Sequence, residues 1–296
     1  MKRPLENLRG LLITMEKREF GTRLSSVKGE GYGVPLVSVI VPTYNSARTL
    51  RCCLESIKNQ TYRNIETLVA DKYSMDETLC IAEENGAHIL LKGPERSSQK
   101  NWGAANANGT LLYFVDSDFI LERDVVSKCV ALCEHYDGLT TVNYSVGKSL
   151  WARSIALKER ILARDPTIQN VRFLRKDVFS QVGGFDEELV VGEDLDLYRR
   201  LLDCNFRIGT SDAIEWHTGE PETLRDVVRR SFYYGKVVRT YLKKRRSYAA
   251  HQLSPFKPNL VWMLVKIGSP YLFSLAVVDV TRWMSSMLGL MYAYLS

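Results

Sequence analysis

The chain has 296 residues, of which 45% are hydrophobic and 25% are charged. These proportions exclude a disordered protein, and the length is sufficient for one large globular domain or for a domain with an appendage. The formal net charge is +6. An excess this small does not identify an anionic partner unless the basic residues are concentrated in one segment.

The cysteines and the N-terminus both indicate a reducing compartment. The six cysteines form no CxxC pair and no spacing typical of a zinc site. We therefore expect reduced cysteines that serve in packing, as in a cytosolic protein. The longest apolar run near the N-terminus, LLITM, is followed at once by EKREF and does not predict a secretory signal.

The first segments of the chain predict an arm followed by an α/β domain. Residues 1–34 are expected to form an N-terminal arm, because a helical stretch of mixed charge leads into the glycine-rich linker KGEGYGVP. From residue 35 to 120, strands are predicted at LVSVIVP, IETLVA, HILL and TLLYFVD. A helix is predicted from Ser46, with Asn45 or Ser46 as its cap and with Leu50, Cys53, Leu54 and Ile57 on one apolar face. Further helices are predicted between Asp76 and Gly86 and over SSQKNWGAANAN. This alternation predicts a Rossmann-like, mostly parallel sheet flanked by helices.

Residues 121–220 predict a looser continuation of the same domain. Helices are expected at about 122–135 and 149–164, and short strands near 140–145 and 171–174. No further strand is predicted before residue 220.

Two acidic residues, Asp116 and Asp118, interrupt the apolar segment YFVDSDFIL. In an extended chain they point to the same side, about 7 Å apart, which is unfavourable without a cation. They follow a predicted strand, and ligands of parallel sheets bind beyond the carboxyl ends of the strands. The two carboxylates therefore either bind a divalent metal or cap the following helix in a solvated loop.

The C-terminal segment, residues 221–296, combines a basic helix with an apolar tail. The helix is predicted from Pro221 to about Arg246 and carries nine basic residues. The tail from Asn259 contains no uninterrupted apolar run of about 18 to 20 residues, the length of a spanning helix. We expect helices that lie on or dip into an anionic membrane surface. A buried helix pair and a single tilted span beginning near Trp283 are the alternatives.

Six short segments complete the pattern in a fixed order. They are VSVIVPTYN (37–45), ADKYSMDET (70–78), SSQKNWGAANANG (97–109), DSD (116–118), GGFDEEL (183–189) and GEDLDLYRRL (192–201). Together they resemble the family 2 glycosyltransferases of the GT-A fold, over about residues 36–220. The resemblance implies a nucleotide-binding half (35–120), an acceptor half (121–220) and an inverting, metal-dependent transfer. The donor is a nucleotide-sugar, a UDP-sugar by default, and the acceptor is a hydroxyl of a lipid-linked or growing glycan.

The resemblance also implies a site for Mn²⁺ or Mg²⁺. A divalent cation stabilises the departing diphosphate and needs only one or two carboxylates besides phosphate oxygens. Asp118 is the implied direct ligand, Asp116 is nearer the ribose or a metal-bound water, and Ser117 belongs to the donor site. His217, in EWHTGE, is implied to complete the metal shell or to contact the diphosphate, and a histidine ligand favours manganese.

Several residues are implied to bind the donor. Pro42 is expected to stop the first strand, so that the turn presents Thr43 and Tyr44 to the base. Asp71 is expected either to bind the base edge or to orient that loop. The family often has DDGS where this chain has DKYS, which leaves uridine as a default only. In addition, Lys100 and Asn101 are implied to face the donor, and Phe185 is implied to form an apolar platform for a sugar ring.

Transfer to an alcohol requires a base within reach of the attacking hydroxyl. Asp194 is the implied base, and Glu193 is implied to orient the acceptor or the donor sugar. Asp196 is about 200° further around the helix and is expected to form an ion pair with Arg199 or Arg200.

Two other functions remain as alternatives. One is a polyprenyl-phosphate glycosyltransferase, whose acceptor is already an anion. The other is a non-catalytic scaffold that binds a sugar nucleotide or a membrane. The expected location is the cytoplasmic side of the cell membrane, and nucleic acid is not an expected partner because the basic residues adjoin an apolar tail.

Overall fold

The computed structural model describes residues 34–162, 169–245 and 270–295. The chain divides into two units, residues 1–34 and residues 35–296. The predicted N-terminal arm lies outside the described residues, apart from Val34, and the beginning of the predicted apolar tail lies outside them as well.

Eight strands of the described chain form one sheet. In chain order they are β1 (Val37–Thr43), β2 (Ile65–Asp71), β3 (His88–Leu91), β4 (Leu111–Phe114), β5 (Phe119–Leu121), β6 (Gly138–Ser145), β7 (Phe173–Arg175) and β8 (Ile208–His217). Their order across the sheet is β3-β2-β1-β4-β7-β6-β8-β5. The first four run parallel, β7 is antiparallel to both of its neighbours, and β5 is antiparallel to β8.

Nine helices are present in the described residues. They are α1 (Ala47–Lys58), α2 (Thr78–Glu84), α3 (Arg96–Asn106), α4 (Val125–Leu132), α5 (Leu150–Leu162), α6 (Lys176–Gln181), α7 (Glu193–Asp203), α8 (Leu224–Lys244) and α9 (Leu272–Leu295). One core joins the sheet to α1, α2 and α4, and a second core joins the opposite face to α3, α6 and α7. The α/β fold with helices on both faces is therefore confirmed.

β1 is an interior strand of the sheet, and all seven of its residues are buried. Val37, Val39 and Val41 contribute to the first core, whereas Ile40 contributes to the second. The predicted strand end at Pro42 is wrong, because Pro42 pairs with Ala70 of β2 inside the strand. The last pair between β1 and β4 is at Ile40, so the missing N–H of Pro42 removes no hydrogen bond from that ladder.

Helices α8 and α9 pack with their backbones in close contact. A Cβ atom at Gly235 would lie 2.0 Å from the carbonyl oxygen of Ser286, and one at Gly289 would lie 2.1 Å from that of Phe232. Only glycine permits this approach on each helix. Within the ranges that the structure describes, no helix combines the length and the hydropathy that a membrane span requires.

The charged and apolar residues of α9 face different ways. Its two charged side chains are paired with α5: Asp279 with Lys158 at 2.7 Å, and Arg282 with Glu159 at 3.7 Å. The outer side exposes a continuous set of large apolar residues: Phe273, Val280, Trp283, Met284, Met287, Leu288, Met291, Tyr294 and Leu295. An uncharged apolar surface is thus held on the outside of the domain.

Candidate active site

Asp116 lies just beyond the end of β4 and is paired with an arginine. Its Oδ2 accepts a hydrogen bond from Arg172 Nη2 at 3.2 Å, and its side chain is 18% exposed. Burial raises the pKa of Asp116, but the charges of Lys100, Arg172 and Arg96 outweigh it and hold the pKa below its usual value. The carboxylate is thus kept ionised in a cationic surrounding.

Arg172 connects Asp116 to a second buried carboxylate. Its Nε lies 3.7 Å from Glu215 Oε2, and Tyr113 donates its hydroxyl to Glu215 Oε1 at 2.6 Å. The guanidinium lies 4.3 Å from the centre of the Phe119 ring. Burial lowers the pKa of Arg172, but Asp116 and Glu215 outweigh this effect, so the arginine stays charged. No motif in the sequence marks Arg172, which stands alone in a short strand segment.

Asp118, His217 and Glu220 form a hydrogen-bonded chain. His217 Nε2 lies 3.2 Å from Asp118 Oδ2, and His217 Nδ1 lies 3.0 Å from Glu220 Oε1. Burial lowers the pKa of His217, but the hydrogen bonds to the two carboxylates raise it to about 9. Burial raises the pKa of Glu220, but the hydrogen bond from His217 outweighs burial and lowers this pKa to about 2.

The hydrogen-bonded series of Asp118, His217 and Glu220 has the features of a divalent metal site. Two neighbouring ligands of an octahedral metal, with bonds of about 2.1 Å, lie about 3 Å apart, close to the 3.2 Å between Asp118 Oδ2 and His217 Nε2. Glu220 holds the other ring nitrogen, as carboxylates commonly do for metal-binding histidines. A Cβ atom at Gly219 would lie 1.8 Å from Asp118 Oδ2, so glycine keeps that oxygen accessible.

The donor set is small. Among residues 34–162, 169–245 and 270–295, no three His, Cys, Asp or Glu side chains converge on a point suited to a metal. Two protein ligands, Asp118 and His217, would therefore hold the ion together with oxygens from a substrate, as is usual for metals that carry a diphosphate.

The GED segment places its acids at the start of α7. Gly192 precedes the helix with φ +79°, a left-handed conformation that favours glycine. Lys100 Nζ lies 2.9 Å from Asp194 Oδ1 and 3.5 Å from Glu193 Oε1. Glu193 is buried, and burial together with the charge of Asp194 raises its pKa. Asp194 retains 24% exposure of its side chain and faces the cavity described below.

Asp196 turns away from this site, as expected for its place on the helix. It accepts from Arg200 Nε at 2.7 Å and also pairs with Arg245. Arg199 pairs with Asp203 instead.

The other end of the predicted site lies where β1 and β2 end. Asp71 is fully buried, and its oxygens accept hydrogen bonds from the hydroxyls of Thr43 and Ser74 and from the amide of Ser74, each at 2.6 Å. Of its two expected roles, this geometry favours orienting the loop. Tyr44 is 56% exposed beside it, with Lys72 Nζ 5.2 Å from its ring centre. We call Thr43, Tyr44, Asp71 and Ser74 the loop end, and Asp116, Asp118, Asp194 and His217 the charged end.

Two residues implied to contact the donor have other partners. Asn101 donates to the carbonyl of Phe185 at 2.9 Å and accepts from its amide at 2.9 Å, so it fastens the GGF loop instead of facing a donor. Phe185 is 2% exposed and packs against Phe114 and Phe179. Its expected role as an open platform for a sugar is wrong, because its ring belongs to the second core. Ser117 donates its hydroxyl to Ser46 at 3.0 Å.

A cavity of about 330 Å³ is lined by three of the four residues of the charged end, and the fourth, Asp118, is paired with His217 at its edge. Asp116, Asp194 and His217 line it, whereas the loop-end residues do not. Most of the other lining residues were not predicted, and among them are Arg96, Arg172, Glu220 and Arg230. Glu220 was detectable, because it follows His217 by three residues in the same EWHTGE segment. Arg230 belongs to the predicted basic helix, but it turns inward and donates to the carbonyl of Gly219 at 3.0 Å.

Comparison with known proteins gives one consistent family. The sequence profile described as "Glycosyl transferase family 2" matches residues 38–185. Glycosyltransferase AglE of Haloferax volcanii is 29% identical over 223 residues, which cover 69% of this chain and 73% of AglE. Chondroitin synthase of Escherichia coli is 29% identical over 187 residues, which cover 57% of this chain but only 26% of that protein.

The fold has solved counterparts at low sequence identity. The mannosyltransferase PcManGT of Pyrobaculum calidifontis, in complex with GDP-Man and Mn²⁺, superposes with a TM-score of 0.58 at 15% identity. The match covers 87% of each chain. At this identity the likeness establishes the GT-A fold and nothing about the substrates of this chain.

Proposed function

The chain belongs to glycosyl transferase family 2, and we propose that it is a metal-dependent, inverting glycosyltransferase. Its donor is a nucleotide-sugar, a UDP-sugar by default, and its acceptor is a hydroxyl of a lipid-linked or growing glycan. The observation that carries the proposal is that His217, paired with Asp118, lines the same cavity as Asp194. A metal pair and a carboxylate with solvent access are thus brought together from distant parts of the sequence.

The residues of the charged end and their partners have separate roles in metal binding, proton transfer and positioning. Asp118 and His217 would hold Mn²⁺ or Mg²⁺, which would supply electrostatic stabilisation of the departing diphosphate. Asp194 accepts the proton of the attacking hydroxyl, and Lys100 fixes the position of its carboxylate from 2.9 Å away. Arg172 keeps Asp116 ionised and in place beside them.

The loop end supplies the nucleotide site. Asp71 fixes the turn after β1 through Thr43, which leaves the exposed ring of Tyr44 available to stack on a base. The GDP-Man and Mn²⁺ bound by PcManGT support a nucleotide-sugar and a divalent metal as ligands of this fold.

Thermal shift measurements with UDP-, GDP- and dTDP-sugars, each with and without Mn²⁺, test the donor and the metal together. We expect one nucleotide series to raise the Tm of the protein only when Mn²⁺ is present, because Asp118 and His217 would hold the ion on which diphosphate binding depends. Metal-stimulated donor hydrolysis should follow the same nucleotide preference. A protein that neither binds nor hydrolyses any donor would instead favour the non-catalytic scaffold.

A polyprenyl-phosphate glycosyltransferase is the second candidate, and Asp194 separates the two. An anionic acceptor needs no base, whereas a hydroxyl does, and a general base contributes about 10² to 10⁴ in rate. We expect Asp194→Asn to lower kcat by about 10³. Asp203→Asn, on the same helix but in an exposed pair with Arg199, is the matched control and should retain activity. Near-full activity of Asp194→Asn would favour the phosphate acceptor.

The outer face of α9 supports a membrane surface as a partner, on the cytoplasmic side of the cell membrane. This face is apolar and uncharged, and basic side chains of α8 border it: Lys236 Nζ lies 4.9 Å from the Tyr292 ring centre, and the Arg239 guanidinium lies 4.4 Å from that of Tyr294. Apolar helices with aromatic and basic borders lie in the interface of anionic bilayers. A membrane location would bring the enzyme to a lipid-linked acceptor.

Vesicle flotation tests this partner without removing α9, whose inner side belongs to the fold. The full chain should float with phosphatidylcholine vesicles that contain phosphatidylglycerol, and higher salt should weaken binding. Leu288→Glu, on the outer face, should reduce binding about tenfold, since a charge is costly at the apolar interface. Met75→Glu, at a residue that is 92% exposed in a distant loop, should not. A monodisperse protein that does not float contradicts the membrane surface.

A further inference from the structure

One wall of the cavity is built from alternate residues of β6. Thr141, Asn143 and Ser145 all line it, and side chains two residues apart share one face of a strand. Ser145 lies nearest the metal pair, where its hydroxyl donates to Glu220 at 2.7 Å. The two residues further along the strand continue the wall away from the metal site.

These two residues carry polar atoms that have no protein partner. Thr141 is only 8% exposed, yet in the described part of the chain neither its Oγ1 nor Asn143 Oδ1 has a hydrogen-bond partner. Buried polar atoms are nearly always paired, because each unpaired group costs about 1–3 kcal/mol. Two such exceptions, on alternate residues that both line one cavity, indicate a ligand with hydrogen-bonding groups.

The charge of this region indicates that the ligand is neutral. Three arginines that line the cavity are already compensated: Arg172 by Asp116 at 3.2 Å, Arg282 by Glu159 at 3.7 Å, and Arg96 by Glu193 at 3.6 Å. Arg230 donates to a backbone carbonyl and faces Glu220. No uncompensated cation therefore stands beside Thr141 and Asn143 among the described lining residues, as a phosphate monoester would require.

We propose that Thr141 and Asn143 form the acceptor subsite and that it binds a neutral, hydroxyl-bearing sugar. This inference rests on the proposed glycosyltransferase function and assigns its acceptor class. The hydroxyl of Thr141 and the carboxamide of Asn143 bind hydroxyl groups of that sugar and hold another of its hydroxyls toward Asp194, which lines the same cavity. Thr141 and Asn143 act in binding and positioning, and Asp194 handles the proton.

The neighbouring residue Thr140 provides a matched control. Its hydroxyl is satisfied by the protein, with the Gly209 carbonyl at 3.4 Å and the Thr210 hydroxyl at 3.1 Å, and it does not line the cavity. Thr140→Val and Thr141→Val thus make the same chemical change on one strand. The first substitution removes a hydroxyl that is hydrogen-bonded to the protein, and the second removes a hydroxyl that has no protein partner.

The test uses the donor that binds in the presence of Mn²⁺, with octyl glycosides of neutral sugars and farnesyl phosphate as acceptor probes. Thr141→Val and Asn143→Ala should each raise the KM for the neutral glycoside about tenfold, the effect of one lost hydrogen bond. Donor hydrolysis without acceptor should be unchanged, and the Tm of Thr141→Val should be equal to or above that of the parent. Thr140→Val should lower the Tm and leave the acceptor KM unchanged.

The outcomes separate this inference from the function on which it rests. If the parent protein hydrolyses no donor, the glycosyltransferase function itself is overturned. Normal hydrolysis with an unchanged acceptor KM in both variants would overturn only the subsite. Transfer to farnesyl phosphate alone, or hydrolysis without transfer to any neutral glycoside, would overturn the neutral acceptor class.

Discussion

The two ends of the candidate site hold their carboxylates in different ways. At the loop end, Asp71 is fully buried and bonded only to neutral donors of its own loops. At the charged end, Asp116 and Asp118 are held by Arg172 and His217, which come from the other half of the sheet. The loop end is therefore complete by itself, whereas the charged end keeps its acids in ionic pairs with side chains of distant segments.

The difference separates stability from ligand binding. A carboxylate bonded to neutral backbone and hydroxyl groups contributes to the free energy of unfolding, because its removal leaves several donors unpaired. A carboxylate in a partly exposed ion pair contributes little to stability. We therefore expect substitutions at the loop end to change mainly the stability and those at the charged end to change mainly the chemistry.

The largest effect is expected for Asp118→Asn. The substitution removes the carboxylate ligand next to His217, so the affinity for Mn²⁺ should fall by about 100-fold or more. Titration of donor hydrolysis with MnCl₂ measures the affinity. The control Asp124→Asn removes another partly exposed carboxylate, paired with Lys128, and should leave the titration unchanged. Equal metal affinity in both variants would contradict a metal role for Asp118.

A smaller effect is expected for Asp71→Asn. The amide cannot accept all three hydrogen bonds from Thr43 and Ser74, so the free energy of unfolding should fall by about 2 kcal/mol, as measured by denaturant unfolding. The affinity for Mn²⁺ in the folded protein should not change, because the charged end does not involve this loop. A parallel loss of metal affinity would show that the two ends are not independent.

The smallest effect is a pH dependence of the metal-free protein. A histidine pKa raised from 6.5 to about 9 stabilises the fold fully below pH 6.5, and this contribution is lost as the pH rises toward 9. A glutamate pKa lowered from 4.5 to about 2 stabilises the fold above pH 4.5, and this contribution is lost as the pH falls. His217 and Glu220 thus stabilise each other most between these two limits.

Glu220→Gln should therefore lower the Tm by about 3 °C at about pH 5.5. The difference from the parent should shrink as the pH approaches 9, because His217 then loses its proton in both proteins. Differential scanning calorimetry in metal-free buffer measures the difference. A Tm difference that stays constant from about pH 5.5 to about pH 9 would contradict an ion pair between His217 and Glu220.

The parallel half of the sheet was predictable because its hydrophobic pattern is regular. The four residues expected on the apolar face of the first helix, Leu50, Cys53, Leu54 and Ile57, are its buried residues. The expected cap was only partly right. Ser46 occupies the N-cap position, but its side chain makes no capping bond, and Asp76 accepts from the amide of Ala47 at 3.1 Å instead. A cap supplied by a distant loop has no local signature.

β8 was missed for a physical reason. Its buried positions hold Gly209, Ser211, Ala213 and Glu215, which are small or charged, so the strand has no apolar alternation. Ser211 and Glu215 are tolerated there because the surrounding sheet supplies polar partners, such as Tyr113 for Glu215. The sequence therefore marked His217 through a family motif but did not indicate the strand that carries it.

Resemblance located the acids of the charged end but not their partners. DSD, GED and EWHTGE are recognisable as short motifs, whereas Arg172 and Thr141 are single residues whose importance depends on what faces them. The misplacement of Phe185 has the same origin, because an aromatic residue in a glycine-rich loop has the same sequence pattern whether its ring is exposed or buried.

The glycine contacts between α8 and α9 have a mechanical consequence. Arg230 of α8 and Arg282 of α9 both line the cavity, and at Gly235 and Gly289 the two helices touch through backbone atoms. No flexible side chain separates them there to absorb a displacement. A displacement of α9 would therefore displace α8 as well, together with the arginine that each helix contributes to the cavity.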